Sequence, residues 1–241
     1  DSIAPEQIPY LGLLKSVLGY VDTENYTYGE LFNEINANTG GINCGVEVFD
    51  RADSTEEFQA MFSVRGKALY TKMDFLFKMI GEILNSSKLE DTKRLYEIVA
   101  SVKSRAQVNL TGAGHSTAVL RAAAYSSPMA AFQDEMAGIG YYQFIEKLEK
   151  DFEQRKEETV EELCKLMKKI LRPENFMISY TGERESLETV QKLAGAVKAG
   201  LGTEPVEKSE EKLTCTKKNE GFKTSGQVQY VAQTGNFKKK G

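Results

Sequence analysis

The residue of this chain best suited to acid–base or metal chemistry is its one histidine, His115. A zinc site takes several ligands from histidine, cysteine and carboxylate side chains, and a nucleophile needs a base beside it. No cysteine, serine or carboxylate stands at a diagnostic spacing from His115. We therefore expect His115 to pack between elements at the start of a helix, with a role as general base or ligand as the alternative.

Gly112, Ala113 and Gly114 precede this histidine and could in principle cradle a phosphate. A phosphate-binding loop follows a strand and ends in Lys-Ser or Lys-Thr, or carries a third glycine. The present run follows a helical pattern and has neither feature. It therefore predicts a helix break and no nucleotide site.

Asp134 and Glu135 could form half of an acid–base couple. Adjacent helical residues point about 100° apart, so the two carboxylates do not converge, and we expect both to face solvent. The aromatic cluster Tyr141, Tyr142 and Phe144 has two interpretations. It lines a peptide-binding chamber, or it belongs to a hydrophobic core or an interdomain contact.

Composition places these residues in an ordinary globular chain of 241 residues with a formal net charge of −4. Basic and acidic residues are interspersed and form no basic stripe, which argues against a nucleic-acid partner. No apolar run is long enough to span a membrane. Cys44, Cys164 and Cys215 are far apart and form no disulfide framework or zinc pair. This usage fits a reducing compartment.

Helical patterns must position most of these side chains. A Ser-x-x-Glu capping box at Ser87 and Glu90 predicts a helix that runs to the glycine break. Ser116 is expected to cap a following helix of small residues, and we expect that helix to be largely buried. Thr27 and Glu30 form a second capping box. Residues 141–171 give the longest helical signal, with a lapse in the apolar stripe between Phe152 and Val160.

Strand patterns are fewer. Residues 42–49 and 58–64 predict an antiparallel hairpin, residues 176–181 predict a further strand, and residues 227–232 predict a short last one. Together the elements predict an α+β fold in which helices dominate and pack on one side of an antiparallel-rich sheet. The chain starts at Asp1 without a methionine, so we expect a piece of a longer polypeptide.

Several ordered strings along the chain resemble one family. They include IPYLGLL at the first helix, SVRGKAL after the hairpin, GAGHSTAVLRAAA, GIGYYQFIEKLE, and GFKTSGQVQYVAQTGN near the end. They are similar to the third domain of the presequence-protease and falcilysin branch of the pitrilysin zinc metallopeptidases. The resemblance covers essentially the whole chain.

That resemblance implies a LuxS/pitrilysin-like metallopeptidase fold in residues 1–205, with residues 206–241 as a linker and the first strand of a following domain. It implies a non-catalytic domain that helps to enclose unstructured peptides together with other domains of the same polypeptide. The family's zinc motif, His-x-x-Glu-His, is absent from this one-histidine chain. We therefore assign no catalytic, cofactor-binding or metal residue here and expect zinc in an upstream domain.

Two further expectations accompany this interpretation. The compartment is expected to be a bacterial cytoplasm or an organelle matrix. The family domain begins with a strand that would precede Asp1, so the sheet is expected to present an edge able to pair with another copy. The alternative function is a stand-alone helical protein-interaction module that docks through residues 141–171.

Overall fold

A computed structural model describes residues 3–54, 56–207, 209, 211, 213–224 and 227–235. Helices dominate it and a single hairpin accompanies them in this described part, which confirms the α+β expectation at the level of fold class. The helices are α1 (Ile8–Val17), α2 (Tyr28–Asn38), α3 (Met73–Ser86), α4 (Thr92–Gly112), α5 (Gly114–Ala124), α6 (Pro128–Ala137), α7 (Ile139–Lys150), α8 (Phe152–Ile170) and α9 (Leu187–Ala199). The strands are β1 (Ile42–Asp50) and β2 (Phe58–Gly66).

The hairpin forms where the alternating pattern predicts it. β1 and β2 pair antiparallel from Ile42 opposite Gly66 to Asp50 opposite Phe58. Val46 faces Phe62 across the pair, and this face packs against the hydrophobic core. The Phe58 ring lies 5.3 Å from that of Phe132 on α6, which ties the strand end to the helices.

The core is built around α1. Leu13, Leu14 and Val17 are fully buried, and α1 contacts α4, α6, α7, α8 and β1. Gly12 permits the close approach of α6 and α7, because a Cβ there would overlap the Met136 carbonyl and the Tyr141 ring. The apolar face of α1 therefore organises the packing of the remaining helices.

The two capping boxes have different outcomes. At α2 the Thr27 hydroxyl accepts from the Glu30 N–H at 3.3 Å and the Glu30 carboxylate accepts from the Thr27 N–H at 2.9 Å, which confirms the prediction. At α4 the prediction is wrong, because Asp91 is the cap and accepts from the Arg94 N–H at 3.0 Å. Ser87 instead donates to the Ile83 carbonyl at the end of α3, at 2.7 Å.

The helix predicted over residues 141–171 is two helices. The chain leaves helical geometry at Asp151, just before the lapse in the apolar stripe, so α7 and α8 meet there. Phe152 is buried directly after the break, with its ring 5.3 Å from that of Tyr96 on α4. Burial of this side chain fixes the direction in which α8 leaves the junction.

The predicted burial of the small-residue helix is also wrong. α5 begins at Gly114 without a side-chain cap, so Ser116 does not start it. Only Ala124 of this helix is buried, because α5 packs mainly on α6 and touches α4 at its start. Most of the other residues of α5 are half-buried, and His115, Ser116 and Val119 are exposed.

Two predicted strands are absent from the described residues. Residues 176–181 and 227–232 carry no strand hydrogen bonding, and the described sheet consists of β1 and β2 alone. A strand needs a neighbour to accept and donate its ladder hydrogen bonds, and neither segment pairs with an edge of the hairpin. Met177 and Ile178 are accordingly 70% and 44% exposed.

Candidate docking site

Asp134 lies at a helix junction and not in solvent, contrary to the sequence prediction. Its side chain is 2% exposed, and its two oxygens accept from the N–H groups of Ile139 and Gly140, at 3.0 and 3.1 Å. These N–H groups belong to the first turn of α7, where backbone donors lack helical partners and the helix dipole favours a negative charge. Asp134 therefore joins α6 to α7.

Arg121 connects the same carboxylate to the C-terminal part of the chain. Its guanidinium lies 2.6 Å from the Asp134 carboxylate and 2.8 Å from that of Glu220. The Tyr125 hydroxyl also donates to Glu220, at 2.5 Å. The ring of Phe222 lies 5.7 Å from the Arg121 guanidinium carbon, within cation–π range.

The charges of this cluster support one another. Burial by itself would lower the pKa of Arg121, but hydrogen bonds and charge from Asp134 and Glu220 raise it. The Tyr125 hydroxyl and the Arg121 guanidinium lower the pKa of Glu220. Burial and the neighbouring charge of Asp134 raise the pKa of Glu135. These shifts favour the charged forms of Arg121 and Glu220 at neutral pH. The cluster therefore holds an ion pair that positions the C-terminal part of the chain.

A second contact lies at the start of α5. His115 is exposed and does not pack between elements as predicted; its ring centroid lies 6.1 Å from that of Tyr230. A Cβ at Gly114 would overlap the Tyr230 ring, so glycine allows this approach. The C-terminal segment of residues 213–224 and 227–235, called the connector below, thus docks on α5 through Glu220, Phe222 and Tyr230.

The aromatic cluster does not act as one surface. Tyr141 is buried in the core, and Phe144 packs edge-on against Tyr10 with ring centroids 4.8 Å apart. Tyr142 lies nearer the surface and donates to Glu146 at 2.8 Å. Tyr141 therefore belongs to the hydrophobic core and not to the lining of a chamber.

One face of α8 is already occupied within the chain. Glu162 accepts from the Gln7 side chain at 2.8 Å, and Glu158 accepts from the Tyr10 hydroxyl at 3.2 Å. Arg155 donates to the same Tyr10 hydroxyl at 2.8 Å. This face therefore holds the N-terminal helix in place and is not free for an outside partner.

The described residues offer no metal-binding cluster. Within those ranges, no group of three or more histidine, cysteine and carboxylate side chains is arranged to hold a metal ion. The three cysteines are free thiols. None of the described helices is long and apolar enough to cross a bilayer.

Sequence reasoning missed the role of Asp134, although a signal was present. Asp134 stands four residues before Gly138 and six before Gly140, a spacing that lets a carboxylate fold over the start of the next helix. A Cβ at either glycine would overlap the Asp134 side chain. Glu220 had no such signal, because it pairs with Arg121 across 99 residues of chain.

Comparison with known proteins gives a consistent result. Residues 1–148 match the family model described as peptidase M-16C associated. The chain is 34% identical to protein HypA of Clostridium perfringens over its whole length, 29% identical to the mitochondrial presequence protease of Yarrowia lipolytica over 64% of its length, and 25% identical to the chloroplastic/mitochondrial presequence protease 1 of Arabidopsis thaliana over 98%.

The chain spans a quarter or less of the length of these relatives, at 25%, 16% and 22% respectively. The match covers the region from α1 to α7, which contains most of the core and the Asp134 junction. The family that the sequence strings resemble is also the family of the matching model. This chain belongs to the peptidase M-16C associated family, a domain of presequence-protease-like members of the pitrilysin peptidases.

Proposed function

We propose that this chain is the non-catalytic third domain of a zinc-dependent peptidase that degrades unstructured peptides. In this proposal it has the LuxS/pitrilysin-like fold and forms part of the wall of a substrate chamber. The observation that carries the proposal is the match of residues 1–148 to this peptidase-associated family, supported by relatives called presequence proteases.

The zinc chemistry belongs, in this proposal, to another domain of the same polypeptide. The zinc ion activates a water molecule and polarises the peptide carbonyl in such enzymes. This chain has one histidine, which is exposed on α5, so it cannot supply a His-x-x-Glu-His pair. Its own residues provide shape and contact surface.

Exposed apolar side chains support contacts with neighbouring domains. Val108 at the end of α4 and Val119 on α5 are 69% and 52% exposed, and Met177 and Ile178 form a second such site. Apolar surface of this kind marks interaction sites when it is contiguous. We assign these surfaces to other domains of the same polypeptide.

The connector supports the proposed division of the chain at about residue 205. Residues 206–241 would lead into the following domain, and Arg121, Tyr125 and Gly114 would set the direction in which they leave α5. A reducing compartment, either a bacterial cytoplasm or an organelle matrix, agrees with the free thiols and with the organelles in the names of two relatives.

The test is the zinc content of two purified proteins. The complete natural polypeptide should retain about one zinc ion per chain after gel filtration, because its catalytic domain supplies the ligands. The 241-residue chain alone should retain none. Stoichiometric zinc in the short chain, or none in the complete polypeptide, would contradict the proposal.

A further inference from the structure

A cavity of about 270 Å³ lies between α1, α2, β1, α3 and α4, away from the docked connector. Its walls include Gly41 and cationic, polar and apolar side chains. Two cationic side chains come from Lys15 and Arg105, and apolar groups come from Leu18, Phe32, Ile35 and Ile83. The cavity shares none of its lining residues with the docking site around Arg121.

The charges of this cavity are unbalanced. No aspartate or glutamate of the described chain lines it, and neither Lys15 nor Arg105 takes part in an ion pair among the residues that the structure describes. Lys15 is partly buried, and burial lowers its pKa because the charged ammonium loses hydration. A negatively charged ligand would supply the missing partner.

The apolar walls limit what the anion can be. Leu18 and Ile83 are buried, and Phe32 is 54% exposed at the rim. A hydrated inorganic ion gains little from such walls, whereas a carboxylate with an apolar substituent buries hydrocarbon against them. The side-chain amides of Asn36 and Asn43 add polar groups that can orient such a ligand.

We propose that this cavity binds a free carboxylate attached to an apolar side chain, with Lys15 and Arg105 as its cationic partners. The C-terminal residue of an unstructured peptide has this chemistry. The choice of a peptide rests on the proposed function. The existence of the carboxylate site rests on the cavity alone.

Calorimetry on the complete natural polypeptide tests the site without using peptidase activity. The probes are N-acetylleucine, N-acetylleucinamide and inorganic phosphate. The acid should bind at least about tenfold more tightly than the amide, because charge-assisted hydrogen bonds are lost when the carboxylate is capped. It should also bind more tightly than phosphate, because phosphate has no hydrocarbon to bury against the apolar walls.

Three variants locate the binding. Lys15→Met and Arg105→Met should each weaken N-acetylleucine binding severalfold or more without loss of thermal stability, since neither cation forms an ion pair with a described residue in the free protein. Lys168→Met is the control, because Lys168 lies on α8, which contributes no described residue to the cavity. Equal binding of acid and amide, tighter binding of phosphate, or equal effects of Lys15→Met and Lys168→Met would overturn the proposal.

Failure here and failure of the proposed function are distinguishable. If the acid binds as predicted but the complete polypeptide holds no zinc, the cavity is a carboxylate site in a protein of another function, and its assignment to a peptide C-terminus is overturned. If zinc is present and the acid does not bind, the carboxylate site is overturned and the peptidase proposal stands.

Discussion

Arg121 on α5 and Asp134 on α6 form an ion pair of 2.6 Å, with side chains 12% and 2% exposed. The same Asp134 carboxylate caps α7 through the N–H groups of Ile139 and Gly140. The same Arg121 guanidinium holds Glu220 of the connector. This buried ion pair therefore joins α5, α6 and α7 and holds the connector against them.

Removal of the Asp134 carboxylate should destabilise the fold strongly. Asp134→Ala leaves two first-turn N–H groups without their acceptor and a cation near the interior, so the free energy of unfolding should fall by about 3 kcal/mol. Glu135→Ala is the matched control, because the structure shows no hydrogen bond or ion pair at that partly buried neighbour within the described residues. Urea unfolding of both variants measures the difference. Equal losses would show that the Asp134 contacts do not stabilise the junction.

Loss of the Glu220 charge should release the connector while the helices stay folded. Glu220→Gln weakens a partly exposed pair, so global stability should change by about 1 kcal/mol or less. Nitrogen-15 relaxation should show increased fast motion at residues 219–222, and Glu207→Gln, on an exposed part of the connecting region, should leave these residues unchanged.

The same contact should depend on pH in a defined direction. The pKa of Glu220 is lowered in the folded state, so its stabilisation is fully present above its unfolded pKa, about 4.3, and is lost as the pH falls through the lower folded value. The motion of residues 219–222 should therefore rise below about pH 4 in the parent chain. If the motion in Glu220→Gln rose as steeply over the same range, another group would control docking.

The close approach of α1 to α6 should make Gly12 intolerant of a side chain. A Cβ at Gly12 would overlap the Met136 carbonyl, a backbone atom that cannot rotate away, so Gly12→Ala should cost about 1–3 kcal/mol. Gly195 lies inside α9, and no described atom lies within 4 Å of the position that a Cβ would occupy there, so Gly195→Ala should stabilise by roughly 0.5–1 kcal/mol through helix propensity. Thermal unfolding of the two variants should shift in opposite directions, and a destabilised Gly195→Ala would refute the explanation.

The sequence predicted those parts of the fold that depend on neighbouring residues. The Thr27 capping box and the hairpin at residues 42–66 are correct, because capping and alternation are local patterns. The Ser87 box failed because Asp91, an equally favourable N-cap residue, lies one turn closer to the apolar stripe of α4. Local patterns did not decide between the two.

Features that depend on distant packing could not be predicted. Glu220 gave no sequence signal, because its pairing with Arg121 spans 99 residues of the chain. The strand at residues 176–181 has the right composition but no pairing partner in the described residues. The small side chains of α5 favour close packing, yet most of that helix is only half-buried and His115, Ser116 and Val119 are exposed.

The open surface of α5 provides a test of domain contacts. Val119 is 52% exposed, so Val119→Glu should change the unfolding free energy of the 241-residue chain by no more than about 0.5 kcal/mol. In the complete polypeptide it should reduce peptide cleavage at least about tenfold, because a buried unpaired charge would disrupt a domain contact. Lys168→Glu, on α8, should preserve cleavage. Full activity in Val119→Glu would remove this face from the domain contacts.

The measurement that tests the central claim most directly is chelator-sensitive cleavage of an unstructured peptide by two proteins, the complete natural polypeptide and the 241-residue chain. The account predicts that the complete polypeptide cleaves the peptide, loses this activity when zinc is removed and regains it when zinc is restored, whereas the 241-residue chain shows no cleavage with or without zinc. Chelator-sensitive cleavage by the short chain alone, or no cleavage by the zinc-loaded complete polypeptide, would contradict it.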